Sequence, residues 1–241
     1  DRLLIEVMGG GACWDEQTCN KGSERLYVNS QFDSFLGLSC SEIQVLGVEA
    51  NGKPINMLCA RSLGETDLTK YTTIIVPYCT QDVHFGSNTM NYDGTTIYHA
   101  GANNLMAVLK YVFRNFSQLS SVALTGCSAG GTAVPAVYRI LDNHYNSFTR
   151  KTPINLISDS PVYLTPQYFL ENALGNWNPN VLLQRIGIPY QKYKDSQMYS
   201  TLIWDFILRK GSNRDRWGFV SHVDDPVSQI YYQWMSGNGG D

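Results

Sequence analysis

Gly126-Cys127-Ser128-Ala129-Gly130 is entered from the apolar run Val122-Ala123-Leu124-Thr125 and followed by Val134-Pro135-Ala136-Val137-Tyr138. A Gly-x-Ser-x-Gly between a short strand-like run and a helix-like segment is a nucleophile elbow. Its glycines let the backbone turn so sharply that the serine hydroxyl projects from the sheet. Ser128 is therefore the candidate covalent nucleophile. The plain alternative is a Ser/Gly turn without chemistry, since five-residue patterns also arise by chance. A second glycine cluster, Gly9-Gly10-Gly11, follows the apolar run Leu3-Leu4-Ile5-Glu6-Val7-Met8. In serine hydrolases of the α/β type the oxyanion hole takes one N–H from the residue after the nucleophile and another from a glycine-rich loop after an early strand. Ala129 and Gly10 or Gly11 fit those two places, in the expected chain order.

The elements that must position these residues alternate in type. Strands are predicted at 3–8, 73–77, 121–125 and 154–158, and helices at about 102–116 and 131–145, with an irregular stretch marked by Gly37, Gly47, Asn51-Gly52 and Pro54. Strands alternating with helices imply an α/β fold whose mostly parallel sheet is covered by helices on both faces. Leu105, Met106, Val108, Leu109, Val112, Phe113 and Phe116 recur at helical spacing around Lys110 and Arg114, the pattern of an amphipathic helix lying on a sheet. Pro135 departs from a regular helix, because inside one it removes a hydrogen bond and kinks it unless it falls in the first turn. Residues 1–241 read as a single domain. Beyond Pro161 the rings Tyr163, Tyr168, Phe169, Trp177, Tyr190, Tyr193, Tyr199 and Trp204 mark a helical, aromatic-rich, cap-like region over about 161–215, most of them core packing.

Composition narrows the function. The net charge is −3 with Lys and Arg scattered, whereas phosphate binding needs a clustered basic face, so nucleic acid is not an expected partner. No apolar run reaches the roughly 18 residues of a membrane span. Six cysteines, 15 tyrosines and few charges suggest export into an oxidising compartment. Cys13 and Cys19 are close enough to clip the loop after the glycine cluster. Cys40, Cys59 and Cys79 either pair or stay buried, and Cys127 is either a small apolar residue under the elbow or a disulfide partner. Zinc is not expected, since no Cys-x-x-Cys occurs and no two histidines sit at ligand spacing, and no cofactor is called for. Chain order offers Asp159 and His222 as triad partners of Ser128. Asp159 ends the run Ile154-Asn155-Leu156-Ile157, and His222 is the one histidine after it. His99 and His144 flank helices and read as surface or capping residues.

Four blocks in order resemble the signatures of the pectin acetylesterase family, a group that also holds Notum-type lipid deacylases. They are Gly9-Gly10-Gly11-Ala12-Cys13-Trp14, Pro77-Tyr78-Cys79-Thr80-Gln81-Asp82-Val83-His84-Phe85-Gly86, Gly126-Cys127-Ser128-Ala129-Gly130-Gly131 and Asp159-Ser160. The resemblance implies an α/β-hydrolase fold, a Ser-Asp-His triad, no metal, export, and removal of an acyl group, above all acetyl, from an oxygen ester of a polysaccharide or related substrate. Asp225-Pro226-Val227-Ser228-Gln229-Ile230-Tyr231-Tyr232 resembles the block carrying the family's catalytic aspartate, with Ser228 in place of a usual Gln. On that pattern Asp225 is the acid, Asp159-Ser160 is structural or pocket-lining, and the catalytic histidine falls some tens of residues later. The chain is then expected to be a fragment truncated at both ends. His84 is expected beside the site, as pocket wall or support, and His222 in the same cavity as Asp225. The other readings are a long-chain lipid or protein deacylase and a non-catalytic carbohydrate- or lipid-binding relative.

Overall fold

The apolar run that opens the chain forms an inner strand of a parallel sheet. A computed structural model describes residues 2–20, 49–50, 53–54, 70–146, 152–161, 165–194, 203, 205 and 214–237. The expectations for Gly37, Cys40, Gly47, Asn51-Gly52, Cys59, Tyr163, Tyr199 and Trp204 lie outside them. In chain order the strands are β1 (Arg2–Val7), β2 (Glu49–Ala50), β3 (Lys53–Pro54), β4 (Thr72–Val76), β5 (Asn88–Tyr92), β6 (Thr95–His99), β7 (Ser121–Cys127), β8 (Ile154–Asp159) and β9 (Arg216–Val220). The described helices are α1 (Glu16–Asn20), α2 (Gly101–Asn115), α3 (Ala129–Tyr145), α4 (Gln167–Trp177), α5 (Asn180–Ile186), α6 (Tyr190–Lys194) and α7 (Pro226–Met235).

Five strands form one sheet in the order β4-β1-β7-β8-β9, all pairs parallel. Parallel strands buried on both faces read as continuous apolar runs, and Leu3, Leu4 and Ile5 are all fully buried. The register Val7↔Gly126 and Cys127↔Asp159 brings the C-terminal ends of β1, β7 and β8 to one edge. Helices α2 and α3 bury Leu105, Leu109, Val112, Val134 and Val137 in one core with Leu3, Ile5, Leu124 and Leu156. Phe169, Trp177 and Tyr193, from the region read as cap-like, are buried in that same core.

Helix α3 begins two residues before the expected start because Ser128 is its N-cap, so Pro135 lies in its second turn. A proline there leaves the carbonyl four residues earlier without its helical donor. The Ser158 hydroxyl, fully buried on β8, donates to that Gly131 carbonyl at 2.8 Å. The proline thus frees an acceptor that ties the elbow helix to the next strand. Elements that were not expected are the β5–β6 hairpin, β9 and α7, together with the short α1, β2 and β3, which fall where a clipped loop and an irregular stretch were expected. The hairpin closes on Asp93-Gly94, both at positive φ (45° and 84°), as a tight primed turn requires. The buried Asp215 carboxylate sets β9 beside β8 by accepting from the Tyr138 hydroxyl and from the Ile154 amide (2.9 Å).

Replacing Ser158 by alanine strands the buried Gly131 carbonyl. The expected loss is about 1–3 kcal/mol in urea unfolding, and an unchanged midpoint would refute the role given to this bond.

Candidate active site

Ser128 sits where β7 turns into α3, with φ 55° and ψ −122°. A serine in the left-handed half of backbone space is strained by about 1–3 kcal/mol and needs outside support. Its N–H donates to the Asp159 carbonyl (2.9 Å), and its carbonyl accepts from the Thr132 amide (3.0 Å) and hydroxyl (3.2 Å). The surrounding glycines answer a packing demand. A Cβ on Gly130 would stand 2.0 Å from the Val7 carbonyl oxygen, one on Gly126 2.8 Å from the same atom, and one on Gly131 2.4 Å from the Asp159 carbonyl oxygen.

The loop after β1 packs against this turn. A Cβ on Gly9 would lie 2.2 Å from the Cys127 carbonyl oxygen and 3.2 Å from the Ala129 nitrogen. Among the described residues no protein acceptor takes the amides of Gly10, Gly11 or Ala129. Gly11 and Ala129 line a small cavity of about 30 Å³ beside Ser128, walled by Trp14, Phe169 and Trp177. These rings meet edge-on, Trp14 to Phe169 at 5.1 Å and Phe169 to Trp177 at 5.4 Å between centroids. Cys13 and Cys19 are joined as a disulfide, as expected, with 5.0 Å between their Cα atoms. Their sulfurs lie near His99 but, so joined, offer no thiolate to a metal.

On its other side Ser128 opens into a cavity of about 650 Å³ that is also lined by Ser160, His222, Asp225, Tyr231 and Met235. Asp225 is the N-cap of α7, where its carboxylate accepts from the amides of Val227 (2.9 Å) and Ser228 (3.3 Å) and from the Ser228 hydroxyl (2.8 Å). That hydroxyl above all holds the carboxyl below the ordinary range. The Asp159 carboxylate accepts from the Ser160 hydroxyl at 2.8 Å, while its carbonyl braces Ser128. Ser128, Asp225 and His222 thus share one cavity. Among the described residues neither the Ser128 hydroxyl nor the His222 ring is hydrogen-bonded.

All four histidines of the chain are placed. His84 is buried and its Nε2 donates to the Met8 carbonyl at 2.8 Å, so it supports the glycine loop from beneath and is no wall of either cavity. His99, expected at the surface or as a cap, is fully buried. Its Nδ1 donates to the Thr80 carbonyl (3.1 Å) and its Nε2 accepts from the Tyr92 hydroxyl (3.0 Å). Burial lowers both rings to about 4, so both are neutral near pH 7. His144 stacks on Phe113 with 3.8 Å between centroids. Cys127 does not lie under the elbow: its thiol is exposed in the larger cavity, because it ends a strand whose next residue turns away. Burial and the neighbouring carboxylates of Asp159, Asp225 and Glu6 raise that thiol, so it is a poor nucleophile near neutrality. The sequence reading missed Tyr231 and Met235, which line both cavities. Their signal was the N-cap Asp225 followed by Pro226 at the first helical position.

A parallel sheet carrying a strained serine between strand and helix, with a glycine loop against it, defines an α/β-hydrolase-like protein. The sequence profile of the pectinacetylesterase family matches residues 1–186. The chain belongs to that family. It is 27% identical over 201 residues to the palmitoleoyl-protein carboxylesterase Notum of Schmidtea mediterranea, a match covering 75% of this chain and 35% of the planarian protein. The match thus spans about a third of that curated relative. Two crystal forms of the Wnt deacylase Notum from Drosophila share the fold, with TM-scores of 0.57 and 0.54 at 16% and 18% identity. They cover 98% of this chain and 71% and 70% of the solved chains.

Glu6, on β1 level with Thr125, has a buried Oε2 that accepts no hydrogen bond among the described residues, and burial raises its carboxyl to about 7. The folded state therefore holds its proton more tightly than the unfolded chain does. Stability is greatest below the unfolded value near 4.5 and falls as pH rises from there through about 7. Thermal melts should show Glu6→Gln gaining on the parent protein from pH 4.5 to pH 7.5. A pH-independent difference would mean that Glu6 is not a buried, unpaired acid.

Proposed function

We propose that this chain is the core of a serine carboxylic ester hydrolase that removes a short acyl group, above all acetyl, from an oxygen ester of a polysaccharide or similar substrate. The reading rests on one observation: a strained Ser128 stands between a cavity lined by Asp225 and a glycine loop whose Gly10 and Gly11 amides meet no protein acceptor among the described residues. Ser128 attacks the ester carbonyl, and the amides of Ala129 and of Gly10 or Gly11 receive the oxyanion of the tetrahedral intermediate. The alcohol leaves, and water cleaves the acyl-serine. Asp225 orients and electrostatically supports the imidazole that takes the Ser128 proton. We assign that imidazole to a residue outside positions 1–241, as the family pattern places it, since the His222 ring bonds neither to Ser128 nor to Asp225. The second reading makes His222 the base, and its place in the same cavity as both partners supports it.

The smaller cavity supports a short acyl group. The side of Ser128 facing Gly11 and Ala129 has about 30 Å³, room for roughly two water-sized groups. Trp14, Phe169 and Trp177, each at most 3% exposed, line it. An acetyl fits that space and a long chain does not, which favours deacetylation over the palmitoleoyl removal named for the planarian relative. The cavity of about 650 Å³ on the other side takes the alcohol part of the ester. The described helices of the 161–215 region, α4 to α6, act as the cap, with Phe169 and Trp177 as its wall, and no metal or cofactor takes part. The Cys13–Cys19 disulfide supports export. No described helix is long and apolar enough to cross a membrane.

In the protein carried through the segment that supplies the proposed base, a fluorophosphonate probe should label Ser128, and Ser128→Ala should remove labelling and cost aryl-acetate hydrolysis on the order of 10⁴-fold or more. Loss of activity in His222→Ala with its fold intact would make His222 the base, whereas unchanged activity places the base elsewhere. Aryl octanoate should be a worse substrate than aryl acetate by at least about tenfold in kcat/KM. Phe169→Ala should narrow that gap, and equal rates on both esters in the parent protein would overturn the short-acyl reading.

A further inference from the structure

We propose that Tyr78 and His84 are positioning residues that hold the glycine loop Gly9–Gly11 in its catalytic shape from a strained, buried turn at Thr80–Phe85. The proposal rests on the reading of that loop as half of the oxyanion hole. The loop is tied to this segment at three points. His84 Nε2 donates to the Met8 carbonyl (2.8 Å), the Tyr78 hydroxyl donates to the Gly11 carbonyl (2.8 Å), and the Cys13 amide donates to the Gln81 carbonyl (2.9 Å). Two of these bonds fix carbonyls on either side of Gly9-Gly10. A peptide plane is rigid, so fixing its carbonyl fixes the N–H on its far side as well. The planes so fixed carry the Gly9 and Ala12 N–H groups, so the two peptides between them, which carry the Gly10 and Gly11 N–H groups, are clamped at both ends when the substrate oxygen arrives.

The anchoring segment is itself costly to build. Gln81, Val83 and His84 have φ of 54°, 48° and 65°, and a β-branched valine is rare in that region. Such conformations persist only where the surroundings over-determine them, and they cluster at functional sites. The fully buried Asp82 carboxylate supplies that constraint here. It accepts from the Thr80 hydroxyl (2.7 Å), the His84 amide (3.2 Å) and the Gly101 amide (2.7 Å) at the start of α2. Helix α2 has no cap of its own from Ala100, so Asp82 serves both the helix end and the turn. Gly86 and Gly101 make room for it, since a Cβ on either would come within 2.2 Å of its carboxylate. The Tyr78 hydroxyl is filled on both sides, accepting from the Val83 amide (2.9 Å) while donating to Gly11, and its ring lies 4.7 Å from the His84 ring. Neither cavity at Ser128 is lined by Tyr78 or His84, so neither residue has a direct part in binding or chemistry.

The test compares Tyr78→Phe, His84→Met and His84→Gln with the parent protein, because Gln places an amide donor near the position of His Nε2 and Met does not. Tyr78→Phe and His84→Met should each lower kcat on aryl acetate by about 10–1000-fold, the range of a lost oxyanion donor, with KM changed less than about threefold. His84→Gln should recover most of the His84→Met loss. Hydrogen exchange should rise over Met8–Cys13 in Tyr78→Phe and His84→Met, with the central strands still protected. Unchanged kcat and unchanged exchange, or a rise confined to KM, would overturn the positioning role. If the protein carried through the segment that supplies the proposed base neither labels nor turns over, the hydrolase reading of the site fails. The exchange data then still decide the anchoring: without a local rise over Met8–Cys13 the proposal falls.

Discussion

The site depends on how closely two stretches of backbone approach each other. The end of β1 and the turn after β7 meet where a methyl group on Gly130 would stand 2.0 Å from the Val7 carbonyl oxygen and one on Gly9 2.2 Å from that of Cys127. No L side chain survives such distances, so both partners must be glycine at the contact. Sheet topology delivers the approach, because β1 and β7 are parallel neighbours whose register sets Val7 against Gly126. With these strands fixed, the glycine loop can lie only across the mouth of the elbow. The strain at Ser128 follows from the same geometry, since the chain must leave β7 and enter α3 within a single residue.

Buried polar side chains then lock what the glycines permit. On one side Ser158 takes the carbonyl that Pro135 leaves free in α3, so the helix that starts at the nucleophile is tied to β8. On the other, Asp82 gathers two amides and a hydroxyl and stiffens the turn that grips the glycine loop. A hydrogen bond in a water-free interior is strong because losing it leaves a partner without a substitute. Both devices use residues that an apolar count of the core would miss: Ser158 binds a carbonyl three residues beyond Ser128, and Asp82 binds donors of the turn that grips the glycine loop.

Much of this was legible in the sequence, for reasons that explain what was not. The strands at 2–7, 72–76, 121–127 and 154–159 lie within two residues of expectation, because each carries a dense run of apolar and β-branched residues. The elbow was legible because the close approach of β1 and β8 to this turn leaves room only for glycine at 126, 130 and 131, which writes the motif into the sequence. Helix α7 was not, since Val227, Ile230 and Tyr232 are each 45–56% exposed and present no buried stripe. The hairpin at Asp93-Gly94 carried its signal in two residues, but its strands alternate polar and apolar residues too weakly to support it. His99 and His84 were beyond reach for another reason. Whether a lone histidine is a cap, a wall or a buried strut is decided by carbonyls distant in sequence, here Thr80 and Met8. The exposure of Cys127 likewise depends on which way the chain leaves the strand.

Helix α7 connects the proposed acid to substrate selection. Its first turn is capped by Asp225, and its later turns place Tyr231 and Met235 in the walls of both cavities, on either side of Ser128. The Tyr231 hydroxyl also occupies the space beside Gly11, 2.4 Å from where a Cβ would stand, and Gly11 itself has φ +81°. The glycine is thus required twice, by its backbone conformation and by the helix seated against it. The helix in turn is held at its far end by Met235, 3% exposed in the core. A displacement of α7 large enough to widen the small cavity would carry Asp225 with it and uncover the proposed oxyanion loop. On the proposed reading, α7 carries both the acid and part of the acyl wall, so a wider acyl pocket comes more readily from trimming Phe169 on α4 than from moving α7.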